Sequence, residues 1–312
     1  MVNVFRSLLR GNRISVKDIE LLFRTATDFK DYHLKKQYDQ MKILPKGTLV
    51  GHYSNKPRWS HTAISRATYL VGGKLHQLIM NDWEPCHSRE YHDLNKILLN
   101  RCDILLMSTT STCYLDLFQK ENLIPIINSG TGQNHPVTVL NHLFTLWEHF
   151  QDLHGLHVGW IGPTQPLLNS YLGILPKLQM NIKYTCPKIP TSPSHLNVGM
   201  KLCEKSNSEI KACTSLEEVL KGCEILVIAC HNHTKLTITE DKIKNSASSL
   251  VLIYEFSRTE FQVINSLIVS PKNLSYKVQE NLIYVWMAIL ILSLTSYQPK
   301  VSNINLSLKN QK

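Results

Sequence analysis

One histidine at the predicted start of a helix is the residue in this chain best placed for chemistry. His135 follows a loop at residues 129–134 that is rich in Gly, Ser, Thr and Asn, and it precedes Pro136, which the first turn of a helix tolerates. The apolar run at residues 124–127 ends at Asn128 and is typical of a strand buried in a parallel sheet. Helix N-termini at such sheets bind anions and phosphates. The imidazole would either take part in such a site or simply cap the helix.

Repeating apolar patterns predict the elements that would position this histidine. Before it, we expect helices at residues 16–30, 60–71, 89–100 and 114–120, and strands at residues 47–53, 76–80, 104–107 and 124–128. After it, we expect helices at residues 136–151, 167–180, 196–206 and 280–295, and strands at residues 157–162, 182–185, 225–228 and 250–254. Strands that alternate with helices predict an α/β fold with mostly parallel sheets.

Composition excludes several classes of protein. The chain has 312 residues, enough for two domains, and it is 43% hydrophobic and 19% charged, as in ordinary globular proteins. Its net charge of +10 favours anionic ligands, but the Lys and Arg residues are scattered, so nucleic acid is not predicted as a partner. The strongly apolar residues 282–294 are too few to span a membrane and predict a buried final helix.

The cysteines predict neither a disulfide framework nor a metal site. None of the eight cysteines forms a Cys-x-x-Cys pair, and several lie in apolar runs, so we expect reduced and mostly buried thiols. Cys86-His87 and the Cys-His-Asn-His run at residues 230–233 lack the paired spacing of structural zinc sites. We therefore predict neither a metal nor a cofactor.

The strand and helix around His135 resemble those of one enzyme family. Residues 124–128 read Ile-Pro-Ile-Ile-Asn, and residues 135–138 read His-Pro-Val-Thr. This is similar to the transcarbamylases, and to ornithine carbamoyltransferase most closely, where such a strand leads to a His-Pro-x-Gln helix whose His and Gln hold carbamoyl phosphate. The resemblance extends over nearly the whole chain. His135 is kept, whereas Thr138 stands in place of the Gln.

The resemblance implies a division of the chain into two domains. A carbamoyl-phosphate-type domain would cover residues 1–134 together with a final helix at about 280–297 that returns to it. An ornithine-type domain would cover residues 135–279, joined to the first by an interdomain helix. Residues 298–312 would form a polar tail, which we expect to be frayed.

Most residues at the family's carbamoyl-phosphate positions have changed type. The phosphate loop Ser-Thr-Arg-Thr-Arg is matched by Pro57, Arg58, Trp59, Ser60 and His61. An arginine that follows a later strand is matched by Ser108, and an arginine near the end of the chain by Leu282. Both loop arginines are thus lost, while Arg58 lies one position out of place. A weak anion site built from Lys56, Arg58, Ser60 and the helix N-terminus remains an alternative.

The positions that would hold ornithine and the catalytic cysteine have changed as well. Pro166 replaces an asparagine that grips the α-carboxylate, and Ala229 replaces an aspartate. His233 and Thr234 lie in the loop that follows. The catalytic cysteine matches Glu255, whose neighbour is Phe256, and a carboxylate there would repel a phosphate. Arg258 of the same motif is retained, either for chemistry or as a surface ion-pair partner.

These changes leave three hypotheses about activity. The first is a pseudoenzyme that keeps the fold and has lost most carbamoyl-phosphate and ornithine contacts. The second is an active ornithine carbamoyltransferase of arginine metabolism, which converts carbamoyl phosphate and ornithine to citrulline and phosphate. The third is a carbamoyltransferase with a different amino substrate. The resemblance also implies a homotrimer, and we expect a cytoplasmic protein, with mitochondria as the alternative compartment and no membrane partner.

Overall fold

The structure is a computed structural model of the chain. It describes residues 7–8, 10–54, 59–79, 93, 96–97, 101–109, 115, 124–162, 166–185, 193–229, 237–243, 246–254, 262–263, 268–301, 304 and 306. The contacts within it divide the chain into two compact units. The amino-terminal unit comprises residues 1–144 and 281–305, and the carboxyl-terminal unit comprises residues 145–280 and 306–312.

The amino-terminal unit contains a five-stranded parallel sheet with order β1-β5-β4-β2-β3. Its strands are β1 (Ser7–Leu8), β2 (Leu49–Ser54), β3 (Lys74–Ile79), β4 (Ile104–Ser108) and β5 (Ile126–Asn128). Its helices are α1 (Val16–Leu34), α2 (Trp59–Leu70), the first part of α3 (Pro136–Phe150) and most of α8 (Ser275–Leu294). The predicted parallel sheet is confirmed here.

Helix α1 forms where its sequence signals predicted it. Ser15 caps the helix: its side chain accepts a hydrogen bond from the Asp18 amide, and the Asp18 carboxylate accepts one from the Ser15 amide. The helix then continues four residues beyond the predicted end at residue 30. Helix α8 contacts α1, since Lys30 Nζ donates to Asn281 Oδ1 at 2.9 Å. The final helix therefore returns to the amino-terminal unit, as predicted.

The carboxyl-terminal unit contains a second five-stranded parallel sheet with order β11-β9-β6-β7-β8. Its strands are β6 (His157–Ile161), β7 (Asn181–Thr185), β8 (Ile210–Ala212), β9 (Ile225–Ile228) and β11 (Val251–Tyr254), and a separate parallel pair joins β10 (Thr237–Ile238) to β12 (Gln262–Val263). Its helices are α4 (Pro166–Ile174), α5 (Pro193–Ser206), α6 (Leu216–Leu220) and α7 (Glu240–Ile243).

Several element bounds differ from the predicted ones. Helix α4 ends at Ile174, because a 3-10 turn at Leu175–Leu178 follows and Gln179 has a left-handed backbone with φ +56°. Strand β8 was missed, since two of its three residues are exposed and give no apolar run. Helix α8 begins five residues before the predicted start at residue 280. The helices predicted at residues 89–100 and 114–120 lie almost entirely outside the described residues.

By length and composition alone, helix α8 could cross a membrane, because it extends beyond the apolar residues 282–294 that were predicted to be too few. It has 20 residues, but 67% of its most apolar stretch is buried inside the protein. A helix that is apolar all round and buried is the core helix of a folded protein. The prediction of a buried final helix is therefore confirmed.

Candidate functional site

The ends of three neighbouring strands form the candidate site of the amino-terminal unit. Strands β2 and β4 end side by side, with Ser54 paired to Ser108, and β5 ends at Asn128 beside Met107 of β4. We call this border of the sheet the carboxyl edge. Ligands of parallel α/β sheets bind outside the carboxyl ends of the strands, so these residues are correctly placed for a site.

Asn128 holds the loop that follows β5 in a fixed shape. The residue is 1% exposed, and its Oδ1 accepts hydrogen bonds from the Gly130 amide at 2.9 Å and the Thr131 amide at 2.6 Å. Its Nδ2 donates to the carbonyl oxygens of Thr131 at 3.3 Å and Asn134 at 2.9 Å. An asparagine side chain that bonds the backbone in this way stabilises a tight turn. The loop therefore delivers the chain to His135 in one defined conformation.

Thr131 fastens the same loop onto strand β4. Its hydroxyl donates to the Met107 carbonyl at 2.8 Å and accepts from the Thr109 amide at 3.0 Å. The Ser129 amide also donates to the Met107 carbonyl, at 2.8 Å. These three hydrogen bonds join the loop to the end of β4, and the two that involve the Thr131 hydroxyl are buried.

Ser108 and His135 meet beside Gly130. This glycine has φ +135°, a backbone conformation that side chains rarely adopt. A Cβ atom built on it would lie 3.5 Å from Ser108 Oγ and 3.9 Å from His135 Nε2. The predicted site residues Ser108 and His135 are therefore brought together, because the hydroxyl and the imidazole both lie close to a residue that has no side chain.

Helix α3 adds its N-terminus to this group. Its first turn contains no acidic residue, and His135 immediately precedes Pro136, the first helical residue. Thr138 lies in that turn and is half-buried. The aligned peptide dipoles leave about half a positive charge at such a helix start. The carboxyl edge can therefore attract an anion through partial charges, a hydroxyl and an imidazole.

The start of α2 is arranged differently from what the resemblance implied. His61 Nδ1 lies 3.0 Å from Nδ1 of His52, a residue of β2 that is 2% exposed. The ring centroids are 5.3 Å apart and the rings are within 16° of parallel. Since each nitrogen lies about 1.1 Å from its ring centroid, the two rings face each other edge to edge in nearly one plane. His61 is therefore bonded inward to the sheet through Nδ1.

Burial keeps the inner histidine neutral. Burial, and second the neighbouring His61, lower the pKa of His52 to about 4. A neutral His52 can join His61 through one hydrogen between the two Nδ1 atoms, which lie 3.0 Å apart. The side chain at position 61 thus does not replace the fixed positive charge of an arginine there.

Ser60 and Leu282, the remaining positions of the predicted phosphate site whose side chains the structure describes, carry no charge. Ser60 is half-buried in the first turn of α2, and Leu282 is a half-buried residue of α8 with only an apolar side chain. Pro57 and Arg58 lie outside the described residues, as does Lys56 of the alternative anion site; Trp59 is described only as the first residue of α2.

Two of the predicted ornithine positions lie in the carboxyl-terminal unit and are apolar. Pro166 is the first residue of α4, a position where proline is favoured because that N–H has no helical partner. Ala229 is fully buried, and its amide donates to the Ile161 carbonyl at 2.9 Å. A Cβ on Gly162 would lie 1.9 Å from the Ala229 carbonyl oxygen, so the two backbones pass in direct contact. Neither position offers a side-chain donor or acceptor.

The other predicted site residues fall outside the part of the chain that the structure describes. These are His233, Thr234, Glu255, Phe256 and Arg258. Sequence reasoning missed His52, although a lone histidine inside the apolar run of a buried strand was a visible signal. Within the described residues, no group of three or more His, Cys, Asp or Glu side chains could hold a metal ion.

Sequence comparisons identify relatives of the chain. The family described as "Aspartate/ornithine carbamoyltransferase, carbamoyl-P binding domain" matches residues 6–148. The mitochondrial ornithine transcarbamylase of Gallus gallus is 22% identical over 95% of this chain and 88% of its own length. The ornithine carbamoyltransferase of Nostoc punctiforme is 28% identical over 71% of this chain and 70% of its own length.

Solved structures share the fold. The ornithine carbamoyltransferase from Pyrococcus furiosus superimposes with a TM-score of 0.87 at 16% identity, covering 96% of this chain and all of that one. A mitochondrial ornithine carbamoyltransferase from Coccidioides immitis gives a TM-score of 0.81 at 18% identity, covering 91% and 96%. The chain thus has the fold of the carbamoyltransferases, and its amino-terminal half, with the strand, loop and helix around His135, matches the carbamoyl-phosphate domain of the aspartate/ornithine carbamoyltransferase family.

Proposed function

We propose that this chain is an ornithine carbamoyltransferase-like pseudoenzyme that keeps the family fold and does not transfer carbamoyl groups. One observation carries the proposal: the carboxyl edge has no fixed cation at its described positions. Ser108 lies beside His135 where the resemblance implies an arginine, and His61 is bonded to His52. Among its described residues, the site therefore has an ordered loop and a helix N-terminus but no arginine or lysine side chain at the predicted positions.

Electrostatics decides what such a site can do. Carbamoyl transfer needs preorganised cations and N–H donors that hold the phosphate and stabilise the departing dianion. The loss of one such donor costs about 3 kcal/mol of transition-state stabilisation. Two independent losses, at the positions of Ser108 and His61, would lower the rate about ten-thousand-fold. His135 alone would contribute roughly 1.5–3 kcal/mol as a charge-assisted hydrogen-bond partner.

The ornithine positions support the same proposal independently. Pro166 and Ala229 stand where the resemblance implies an asparagine and an aspartate, and neither side chain can bind a carboxylate or an ammonium group. An amino acid would therefore be held loosely, and the orientation that makes transfer effectively unimolecular would be lost.

The test is to measure turnover and binding on the same purified protein. We expect no citrulline above background in a colorimetric assay with saturating carbamoyl phosphate and ornithine, next to an active family member as positive control. Isothermal titration with carbamoyl phosphate should give a dissociation constant of about 1 mM or weaker. Robust citrulline formation, or low-micromolar binding, would sink the proposal.

An active ornithine carbamoyltransferase remains the second candidate. His135 is retained at the helix N-terminus, and the Gallus gallus and Nostoc punctiforme relatives carry that enzyme's name. In this case residues outside the described part, such as Arg258, would have to supply the missing charge. The citrulline assay separates the two candidates. Replacing ornithine by other amines in the same assay tests for a different amino substrate.

Assembly and compartment are part of the proposal. We expect a homotrimer, as the family resemblance implies, and light scattering that shows a stable monomer at micromolar concentration would contradict it. We propose a cytoplasmic protein, with mitochondria as the alternative because the Gallus gallus relative is described as mitochondrial. Subcellular fractionation of the native source distinguishes the two compartments.

A further inference from the structure

Helix α2 has a cavity on its outward face that neither the strand ends nor His135 explain. The cavity has a volume of about 430 Å³ and is lined by His61, Thr62, Ser65, Arg66 and Tyr69. Ligand pockets commonly have volumes of about 300–1,000 Å³, so a small molecule fits. The described lining contains an imidazole, two hydroxyls, a guanidinium and a phenol, and no carboxylate.

Arg66 provides this cavity with a fixed positive charge. The guanidinium lies over the Tyr69 ring, 5.8 Å from its centroid, which holds the long side chain along the helix surface. No carboxylate of the described residues forms a salt bridge with Arg66. Its charge acts on its surroundings: burial, and second Arg66, lower the pKa of His33. The guanidinium therefore has donors available for an external anion.

The bond to His52 determines which hydrogen His61 presents to the cavity. His52 Nε2 is buried and without a hydrogen-bond partner among the described residues. An orphaned buried N–H costs its full desolvation free energy. A neutral His52 carries its hydrogen on either Nδ1 or Nε2. We assign it to Nδ1, where it bonds to His61, because a hydrogen on Nε2 would be a buried N–H without an acceptor among the described residues. His61 accepts at Nδ1, which leaves its hydrogen on Nε2 and makes it a donor.

We propose that the outward face of α2 is a binding site for a small oxyanion, a phosphate or a carboxylate. The Arg66 guanidinium supplies the charge, and the His61 Nε2–H and the Ser65 hydroxyl supply further donors from the same helix face. Residues 61, 65 and 69 lie one turn apart, so their side chains line one groove. His52 is a positioning residue, since it acts on the anion only through the tautomer of His61.

Isothermal titration of the full chain with inorganic phosphate tests the site, and acetate at matched ionic strength tests whether a carboxylate suffices. We expect phosphate to bind, and Arg66→Gln to weaken that binding at least tenfold. Arg101→Gln is the matched control, because Arg101 is an exposed arginine of the same unit that does not line the cavity, and it should leave the affinity unchanged.

His135→Ala separates this site from the carboxyl edge. If the phosphate heat disappears with His135→Ala and persists with Arg66→Gln, the anion binds at the strand ends and the proposal is wrong. No heat at 20 mM phosphate would overturn it equally.

Nitrogen-15 NMR of the histidine rings provides a readout of the tautomer. Phosphate should change the nitrogen-15 chemical shift of His61 Nε2 while Nδ1 stays unprotonated. In His52→Leu, His61 is no longer held in the tautomer with its hydrogen on Nε2, so phosphate binding should weaken a few-fold. A His61 ring protonated at Nδ1 in the wild type would contradict the assignment.

Discussion

Two buried polar groups of the amino-terminal unit are satisfied to very different degrees. Asp28 of α1 is 4% exposed and accepts three hydrogen bonds, from the Tyr297 hydroxyl at 2.8 Å, the Lys300 amide at 2.6 Å and the Val301 amide at 3.1 Å. His52 of β2 is 2% exposed and has one partner, His61, with its Nε2 unpartnered among the described residues.

The difference separates the scaffold from the candidate site. A buried polar group whose hydrogen bonds are all made stabilises and rigidifies its surroundings, whereas a half-satisfied one costs free energy. The segment that Asp28 holds joins the carboxyl-terminal end of α8 to α1, so the satisfied group maintains the fold. The unsatisfied group lies under α2, where the resemblance places the phosphate loop. We infer that the fold is held by contacts away from the carboxyl edge.

Mild acid should destabilise the protein through its buried histidines, and this is the largest effect that we expect. Burial, and for His52 second His61, lower the pKa values of His52 and His142 to about 4, below the usual 6.5. The unfolded chain binds their protons below pH 6.5 and the folded chain does not until about pH 4, so stability is lost as the pH falls through that range. We expect the free energy of unfolding to drop by about 4 kcal/mol between pH 7.5 and pH 5.

Urea denaturation at the two pH values measures this loss. The variant His52→Leu should remove about half of the pH dependence. His76→Leu makes the same replacement at an exposed histidine of β3 and serves as the control. A free energy of unfolding that is unchanged at pH 5 would show that the folded protein accommodates the protonated rings.

Removal of the Asp28 carboxylate should lower the free energy of unfolding, because Asp28 is the fully hydrogen-bonded group of the two. In Asp28→Ala the Tyr297 hydroxyl and two backbone amides lose their acceptor, and we expect a loss of about 3 kcal/mol in urea denaturation. Asp31→Ala is the matched control on the same helix, since the side-chain contact that Asp31 makes within the described part of the chain is an exposed salt bridge with Lys35. That change should cost less than about 1 kcal/mol. Equal losses in the two variants would remove the distinction between scaffold and surface.

The sequence predicted those parts of the molecule that local patterns specify. The Ser15 cap fixed the start of α1, and the apolar runs of β4 and β9 gave the buried parallel strands. The Asp28 contacts were not predictable, because their partners lie about 270 residues away. Residues 298–312 were expected to be frayed, yet Lys300 and Val301 are hydrogen-bonded to Asp28.

The candidate site was predicted only in part, because some of its contacts join residues from different elements. The resemblance placed Ser108 and His135 among the positions of one site, and the structure brings both close to Gly130. The pairing of His52 with His61 was missed, since it depends on how α2 packs on β2 and not on spacing along the chain.

A cation restored at the carboxyl edge should tighten anion binding there and, of the changes considered, should affect stability least. Ser108 lies at the end of β4, half-buried and beside His135, so an arginine there can direct its guanidinium at an anion bound to α3. We expect Ser108→Arg to tighten carbamoyl-phosphate binding at least tenfold in isothermal titration, because a hydrogen bond to a charged group contributes roughly 1.5–3 kcal/mol. Ser108→Gln, which is long and polar but uncharged, is the control.

Turnover should stay absent in that variant and also in Glu255→Cys. The resemblance implies that Glu255 stands at the family's catalytic cysteine position. The proposed loss of ornithine contacts at Pro166 and Ala229 would remain in these variants, and tighter binding of one substrate does not orient the other. The double variant Ser108→Arg, Glu255→Cys should therefore bind carbamoyl phosphate and still make no citrulline. Citrulline formation by Glu255→Cys alone would show that one carboxylate silences an otherwise complete site, and that the scaffold and the chemistry have not been separated.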